Sequence, residues 1–347
     1  MMKKAMIILL VFMLAMTGII GSVSASTYIK KPPQSQGRGE TLYVGGIGPN
    51  NYTKIQDAIT DAIDGDTVFV LDDSAPYIEN VVVDKSIALL GENKETTIID
   101  GGTTSDCILL MADRVTLQGF TLTHTTNEHY GIRVGSHENI IRDNIITNNM
   151  IGIHLLKVNN NTIEENEITH NYYGGIYQYS CDDTIISNNI ISGVTQTAGV
   201  SILYDSHRAL ITLNTISENN YGIDISQSND NTILNNNIME NTWGIDLDMA
   251  SNNLIKQNNI QENIKPVTWV GLSWHLAKER WYRNTFDENY WGRAPILIKP
   301  ILGVLVLVYN VQDNGAMGLG FNICGLVPMI KFDHHPSQEP YDIPGGI

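Results

Sequence analysis

The sequence predicts an all-β chain: a single-stranded parallel β-helix with about 22 residues per coil, closed by an amphipathic helix at its amino end and by a carboxy-terminal cap. Three columns of residues at a fixed period predict it. An asparagine two positions before an isoleucine recurs at Asn144, Asn166, Asn188, Asn214, Asn236 and Asn258, in steps of 22, 22, 26, 22 and 22. A second asparagine column runs through Asn149, Asn171, Asn219, Asn241 and Asn263, and skips the unit that carries four extra residues. The third column is a glycine followed by an apolar residue: Gly131-Ile132, Gly152-Ile153, Gly175-Ile176, Gly199-Val200, Gly222-Ile223 and Gly244-Ile245. Columns kept in register over six units mark a repeat architecture in which each unit stacks on the next.

Within a unit, apolar and polar residues alternate over short runs such as Gly244-Ile245-Asp246-Leu247-Asp248, and no apolar stripe recurs at helical spacing. A coil this short has no room for a crossover helix, so successive coils pair parallel, each roughly 4.8 Å above the last. Isoleucine then fills the interior. Asparagine tolerates the left-handed corner conformation, and stacked amides hydrogen-bond from rung to rung.

Taken in order, the elements begin with residues 1–25. Two lysines, an apolar run from Ala5 to Ile20 and the small residues Val23-Ser24-Ala25 have the form of a secretory signal peptide cut near Ala25. The run is short for a membrane span, so no transmembrane segment is expected after cleavage. Residues 26–41, polar with two prolines, form a flexible linker. The β-helix occupies 42–263. Its first element is a helix with Ile55, Ala58, Ile59, Ala62 and Ile63 on one face, laid over the open end of the first coil, and Asp64-Gly65 ends it. Residues 264–347 form the carboxy-terminal capping region. There the asparagine columns stop, and Trp269, Trp274, Trp281 and Trp291 fall within 23 residues. These tryptophans are expected to pack in the cap.

Charge narrows the partners. Formal net charge is -16, and losing Lys3 and Lys4 with the leader takes it to -18, which disfavours nucleic acid or an anionic membrane as a partner. Cys107, Cys181 and Cys324 are too few and too scattered for a disulfide framework. Secretion to the cell surface or the extracellular space follows from the leader as an expectation.

The run IQDAITDAIDGDTVFVLDDSAPYIENVVVDKSIALLGENKETTIIDG followed by NTIxxNxIxxNxxGI repeats resembles the right-handed β-helix proteins of the pectin-lyase-like superfamily. Within it the chain is similar to the periplasmic, copper-associated NosD-type family and to carbohydrate-binding and sugar-hydrolysis repeats of archaeal surface proteins. NYWGR (289–293) and FDHHPSQEPYDI (332–343) resemble the closing segment of that archaeal group. The resemblance implies a right-handed solenoid and a carbohydrate or cell-surface polymer as the partner. It implies copper only by association, for no histidine spacing matches a zinc finger or metalloprotease helix and no methionine clusters with a histidine in the sequence. Repeats of this kind also build lyases, hydrolases and epimerases.

Enzyme motifs are sparse. Asp182-Asp183 is the nearest match to a glycosidase acid pair, but it lacks partner motifs and reads as a solvated turn. What remains is the residue two after each column glycine, expected to point outward: Arg133, His154, Tyr177, Ser201, Asp224 and Asp246, with Tyr179, Ser226 and Asp248 on the adjacent row. Arg133, His154, Tyr177, Asp224 and Asp246 are the candidates for catalysis, and Tyr177, Asp224, Asp246 and Asp248 for ligand binding. Asp224, Asp246 and Asp248 could also hold Ca²⁺, given further oxygen ligands. Because this face offers one arginine among many acids, a polyuronate is a poor match, and a non-catalytic glycan-binding or structural module is the leading expectation. A polysaccharide lyase, hydrolase or epimerase is the alternative, and a copper-delivery protein of the NosD type the second.

Overall fold

Strand pairs upon strand in parallel and in register from Thr41 to Asp287, with single residues matched rung by rung. The computed structural model describes residues 39–124, 129–273, 284–291, 299–313, 319–333, 337 and 339–343, all within the unit Gly37–Ile347. Among them the chain forms three sheets of 11, 11 and 9 strands. Each coil contributes one short strand to the first sheet, one to the second and one longer strand to the third, as in Thr162–Glu164, Glu167–Thr169 and Gly174–Tyr179. The result is the right-handed type of parallel β-solenoid that the sequence predicts.

Inward positions stack isoleucine on isoleucine. Ile141, Ile163, Ile186, Ile211, Ile233 and Ile255 fill the first sheet's side of the core, and Ile146, Ile168, Ile191, Ile216, Ile238 and Ile260 the second's, all fully buried. Each contributes roughly 1.5–3 kcal/mol of burial. β-branched chains suit this site, since a pleated surface favours their stiff χ1.

Asparagine ladders hold the corners. Asn236 Oδ1 accepts from Asn214 N and Asn214 Nδ2, both at 3.0 Å. Its own Nδ2 donates to Ile211 O at 2.8 Å, Leu234 O at 3.1 Å and Asn258 Oδ1 at 3.0 Å. The ladder corrects the expected column at one place. Asn189, not Asn188, stands between Asn166 and Asn214, because Ile191 points inward while Ile190 is left 47% exposed. Division of labour at the corner also differs from expectation. The left-handed residue is the one before each ladder asparagine: Glu165, Asn188, Leu213, Asn235 and Gln257 in this column, all with φ between 54° and 59°. A third ladder, Asn139–Asn161 and Asn231–Asn253–Asn284, does not show as a column in the sequence because Thr184 and Ala209 interrupt it.

The glycine column has a steric cause. A Cβ on Gly222 would lie 2.5 Å from Gly244 O, 3.0 Å from Ile238 Cγ2 and 3.1 Å from Asn241 Nδ2, so the start of strand Tyr221–Ser226 leaves no room for a side chain.

At the amino end the helix spans Ile55–Asp61, with Ile55, Ala58 and Ile59 buried against the terminal strands. It is shorter than its apolar pattern suggests. Ala62 is already extended and Ile63 turns out to 69% exposure.

At the other end the solenoid does not stop at residue 263. Lys265–Ser273 and Thr285–Asp287 add a further rung, and the bonds from Asn253 to Asn284 and from Asn258 to Asn289 continue two ladders after steps of 31. A step of 31 in place of 22 is why a fixed period loses the unit. Strands Lys299–Asp313 and Leu319–Asp333 then form an antiparallel hairpin on the third sheet. Trp291 is buried in the solenoid core; Trp274, Trp281 and the side chain of Trp269 lie outside what is described. The tail does not lie over the last rung alone. Asn259 pairs its side-chain amide with Tyr341 N and O at 2.7 and 2.8 Å, and Asn237 donates to Ile343 O at 3.4 Å, so the tail lies on the outer face of the second sheet.

The leader and most of the linker lie outside the described residues. Among those described, no helix is long and apolar enough to cross a membrane.

Candidate functional site

The third sheet brings the outward stripe into one column. Arg133, His154, Tyr177, Ser201, Asp224, Asp246 and Thr268 are paired one to the next across consecutive strands. Leu156, Tyr179, Leu203, Ser226 and Asp248 form the adjacent column. The stripe is not the freely solvated surface that its polarity suggests: Ser201 is buried and most of its neighbours are half-buried.

At its amino end the column forms a groove of about 480 Å³ lined by His129, Tyr130, Arg133, Met150, Ile151, His154, Tyr173 and Tyr177. His154 sits between two phenols, with ring centroids 4.6 Å from Tyr130 and 5.6 Å from Tyr177, and the Tyr173 ring lies 6.4 Å beyond Tyr177. Arg133 lies 4.9 Å over the Tyr130 ring, and its Nε is 2.8 Å from Oδ2 of Asp106. Asp106 is only 6% exposed and also accepts from the Tyr130 N–H at 2.8 Å, so the cation is anchored by a fixed carboxylate. Sequence reading missed Asp106, Tyr130, Tyr173 and His129. They fall outside the repeat columns that reveal the stripe.

Electrostatics follow from this packing. Burial, and then the Arg133 charge, pull the His154 imidazole down to about 4, so at neutral pH it is uncharged. Its Nδ1 is buried without a hydrogen-bond partner among the described residues. Burial pushes the Tyr177 phenol up to about 12. Two strands further on, burial and then Asp246 and Asp248 push the Asp224 carboxyl up to about 7. Burial raises Asp246 and Asp248 as well.

Asp224 and Asp246 stand in register with Asp248 in the adjacent column, and the three do not converge as metal ligands. Asp246 Oδ1 is taken by the Thr268 hydroxyl, and Asp248 leans towards Ser226 from the adjacent column. Among the described residues no group of three or more His, Cys, Asp or Glu is placed to hold a metal ion, so the calcium expectation finds no support. Asp182-Asp183 lies at a surface corner, as expected. Both carboxylates hold Arg208, at 2.8 and 2.9 Å, and Asp183 takes the left-handed corner position.

A family profile described as periplasmic copper-binding protein (NosD) matches residues 62–295, more than half of the chain. The chain belongs to the NosD family. No curated protein matches its sequence. Among solved structures, this NosD-family chain is similar to the Dettilon tailspike protein, at 15% identity over 72% of this chain and 62% of that one, with a TM-score of 0.51. It is also similar to an Azotobacter vinelandii mannuronan C-5 epimerase A-module, at 16% identity over 72% and 88% of the two chains and a TM-score of 0.47. Pectate lyase Pel9A matches at 13% identity over 74% and 76%, with a TM-score of 0.43. Identities this low speak of fold alone.

The family description raises copper, and the described residues of this NosD chain fit it poorly. Cys107 and Cys181 are buried in the core, and burial pushes the Cys107 thiol up to about 12, whereas a metal takes the thiolate. One correction to the sequence reading favours a soft metal, since the fold does place Met150 in one groove with His129 and His154. That groove, however, stacks His154 between tyrosines and sets the Arg133 cation beside it. His334 and His335 lie outside the described residues.

Proposed function

We propose that this NosD-family chain is an exported, non-catalytic solenoid that binds a neutral glycan on the outer face of its third sheet. One observation carries the reading: a groove walled by Tyr130, Tyr173 and Tyr177 together with His154 and Arg133. Phenol rings offer flat apolar area for a sugar face together with hydroxyls for its rim, at little entropic cost. The acids further along the column disfavour a polyanion. The family's periplasmic description and the leader-like residues 1–25 support a place outside the cytoplasm.

A second reading, a polysaccharide-active enzyme, draws on the neutral His154 and on Asp224 poised near pH 7, both suited to general acid–base work. Calorimetric titration with neutral oligosaccharides, alongside reducing-end and unsaturated-product assays on the same samples, separates the two. Binding without product, weakened in Tyr177→Ala, supports the module. Product formation abolished in His154→Ala establishes the enzyme. No binding to any glycan rejects both.

A further inference from the structure

Aromatic side chains do not end with the groove. Strand Gly174–Tyr179 carries Tyr173 just before it, Tyr177 at its centre and Tyr179 at its far end. Tyr179 packs against Tyr204 of the next coil, with ring centroids 4.9 Å apart. Tyr204 is 42% exposed, and Leu156, paired with Tyr179 from the coil on the other side, is 45% exposed. Three apolar side chains from three successive coils thus form a patch at the opposite edge of the sheet from the groove.

The backbone under this patch is unusual. Tyr204 and Asp205 are both left-handed, with φ of 45° and 56°, whereas corresponding corners in other coils carry a single such residue at Lys157, Ser180, Gln227 or Met249. A bulky aromatic in this region is a rarity with a conformational cost, and such strain persists only where the surroundings fix it. Here they do. Tyr204 N donates to Ser226 O, Asp205 N to Gln227 O, and the Ser180 hydroxyl to Tyr204 O at 2.9 Å. The strained corner is what sets the Tyr204 ring against Tyr179.

We infer that the bound glycan lies across the solenoid, along strand Gly174–Tyr179, running from the tyrosine groove over Tyr177 to a second stacking subsite formed by Tyr179, Tyr204 and Leu156. This rests on the glycan-binding reading above and adds direction and length to it. The extended backbone from Tyr173 to Tyr179 spans roughly 20 Å, room for a chain of several sugars. A path along the solenoid axis is less well provided. Ser201 and Ala198 on the next strand are buried, and beyond them one face of Trp243 is stacked on Tyr221 and Lys265 lies 3.5 Å over the ring. Charge agrees with a neutral chain, because the strip between groove and patch carries phenols while Arg133 is already held by Asp106 on one side and the aspartates stand on the other.

Titrate wild type, Tyr204→Ala, Tyr204→Phe, Tyr177→Ala and Trp243→Ala with gluco-, manno- and xylo-oligosaccharides from disaccharide to octasaccharide, checking the fold of each variant by circular dichroism. Affinity should rise with length. Tyr204→Ala should lower affinity for the long oligosaccharides about tenfold while leaving the short ones unchanged, Tyr204→Phe should keep it, and Trp243→Ala should have no effect. If Tyr177→Ala weakens binding and Tyr204→Ala does not at any length, the groove stands and the transverse path falls. If Trp243→Ala removes the gain with length, the chain lies along the axis instead. If wild type binds none of these sugars, the glycan reading falls as well.

Discussion

Asp224 and Asp246 face each other residue for residue on adjacent parallel strands, one rung apart, with Asp248 beside them. Burial first and these neighbours second raise Asp224 from the usual carboxylate range to about 7. The folded chain therefore binds more protons than the unfolded one between about pH 4 and 7, and stability falls as pH rises through that window. Asp224→Asn should raise the melting temperature at pH 8 by several degrees and leave it nearly unchanged at pH 4. Scanning calorimetry at the two pH values checks this, and an equal effect at both would remove the coupling.

His154 works in the opposite direction. Its folded value of about 4 lies below the unfolded value, so the stability it contributes is complete above about pH 6.5 and is lost as pH falls towards 4. His154→Phe, which keeps the stacking on Tyr130 and Tyr177 but cannot titrate, should flatten the loss over that range, on the order of 1–3 kcal/mol. Urea unfolding at a series of pH values measures it. A variant whose pH profile matches wild type would show that the imidazole is not held neutral.

The Asn236 ladder should be intolerant of charge. Asn236→Asp replaces an amide that donates to Ile211 O, Leu234 O and Asn258 Oδ1 by a carboxylate facing three oxygens. It should cost about 1–3 kcal/mol or more. The same change at Asn252, an exposed corner residue with φ of 57°, should cost little. Equal losses in chemical denaturation would contradict the ladder's role.

Gly222→Ala should destabilise by roughly 2–4 kcal/mol, since its Cβ meets the backbone oxygen of the next coil's glycine. Gly135→Ala, whose nearest neighbour would be Leu110 O at 3.4 Å, should be close to neutral. Thermal melts of the two variants distinguish a steric column from a general dislike of side chains at glycine positions.

The repeat determines the solenoid and the residues of the stripe, because a parallel stack in register turns each column of the sequence into a column in space. Arg133, His154, Tyr177, Asp224 and Asp246 are therefore legible as neighbours from their spacing alone. Period cannot choose between Asn188 and Asn189, since both stand two residues before an isoleucine, and only the direction of Ile191 into the core decides. It also loses the last rung, where Asn284 and Asn289 follow an insertion. The rest of the groove's wall, and the place of Tyr204 against Tyr179, belong to tertiary structure. Tyr130, Tyr173, Asp106 and Tyr204 lie at corners and strand ends, outside the columns, and where they meet depends on how the chain turns between sheets. Hydrophobic period is set by local alternation, whereas the meeting of side chains from different coils is set by corner geometry, which the sequence encodes only through residues of many kinds held at positive φ.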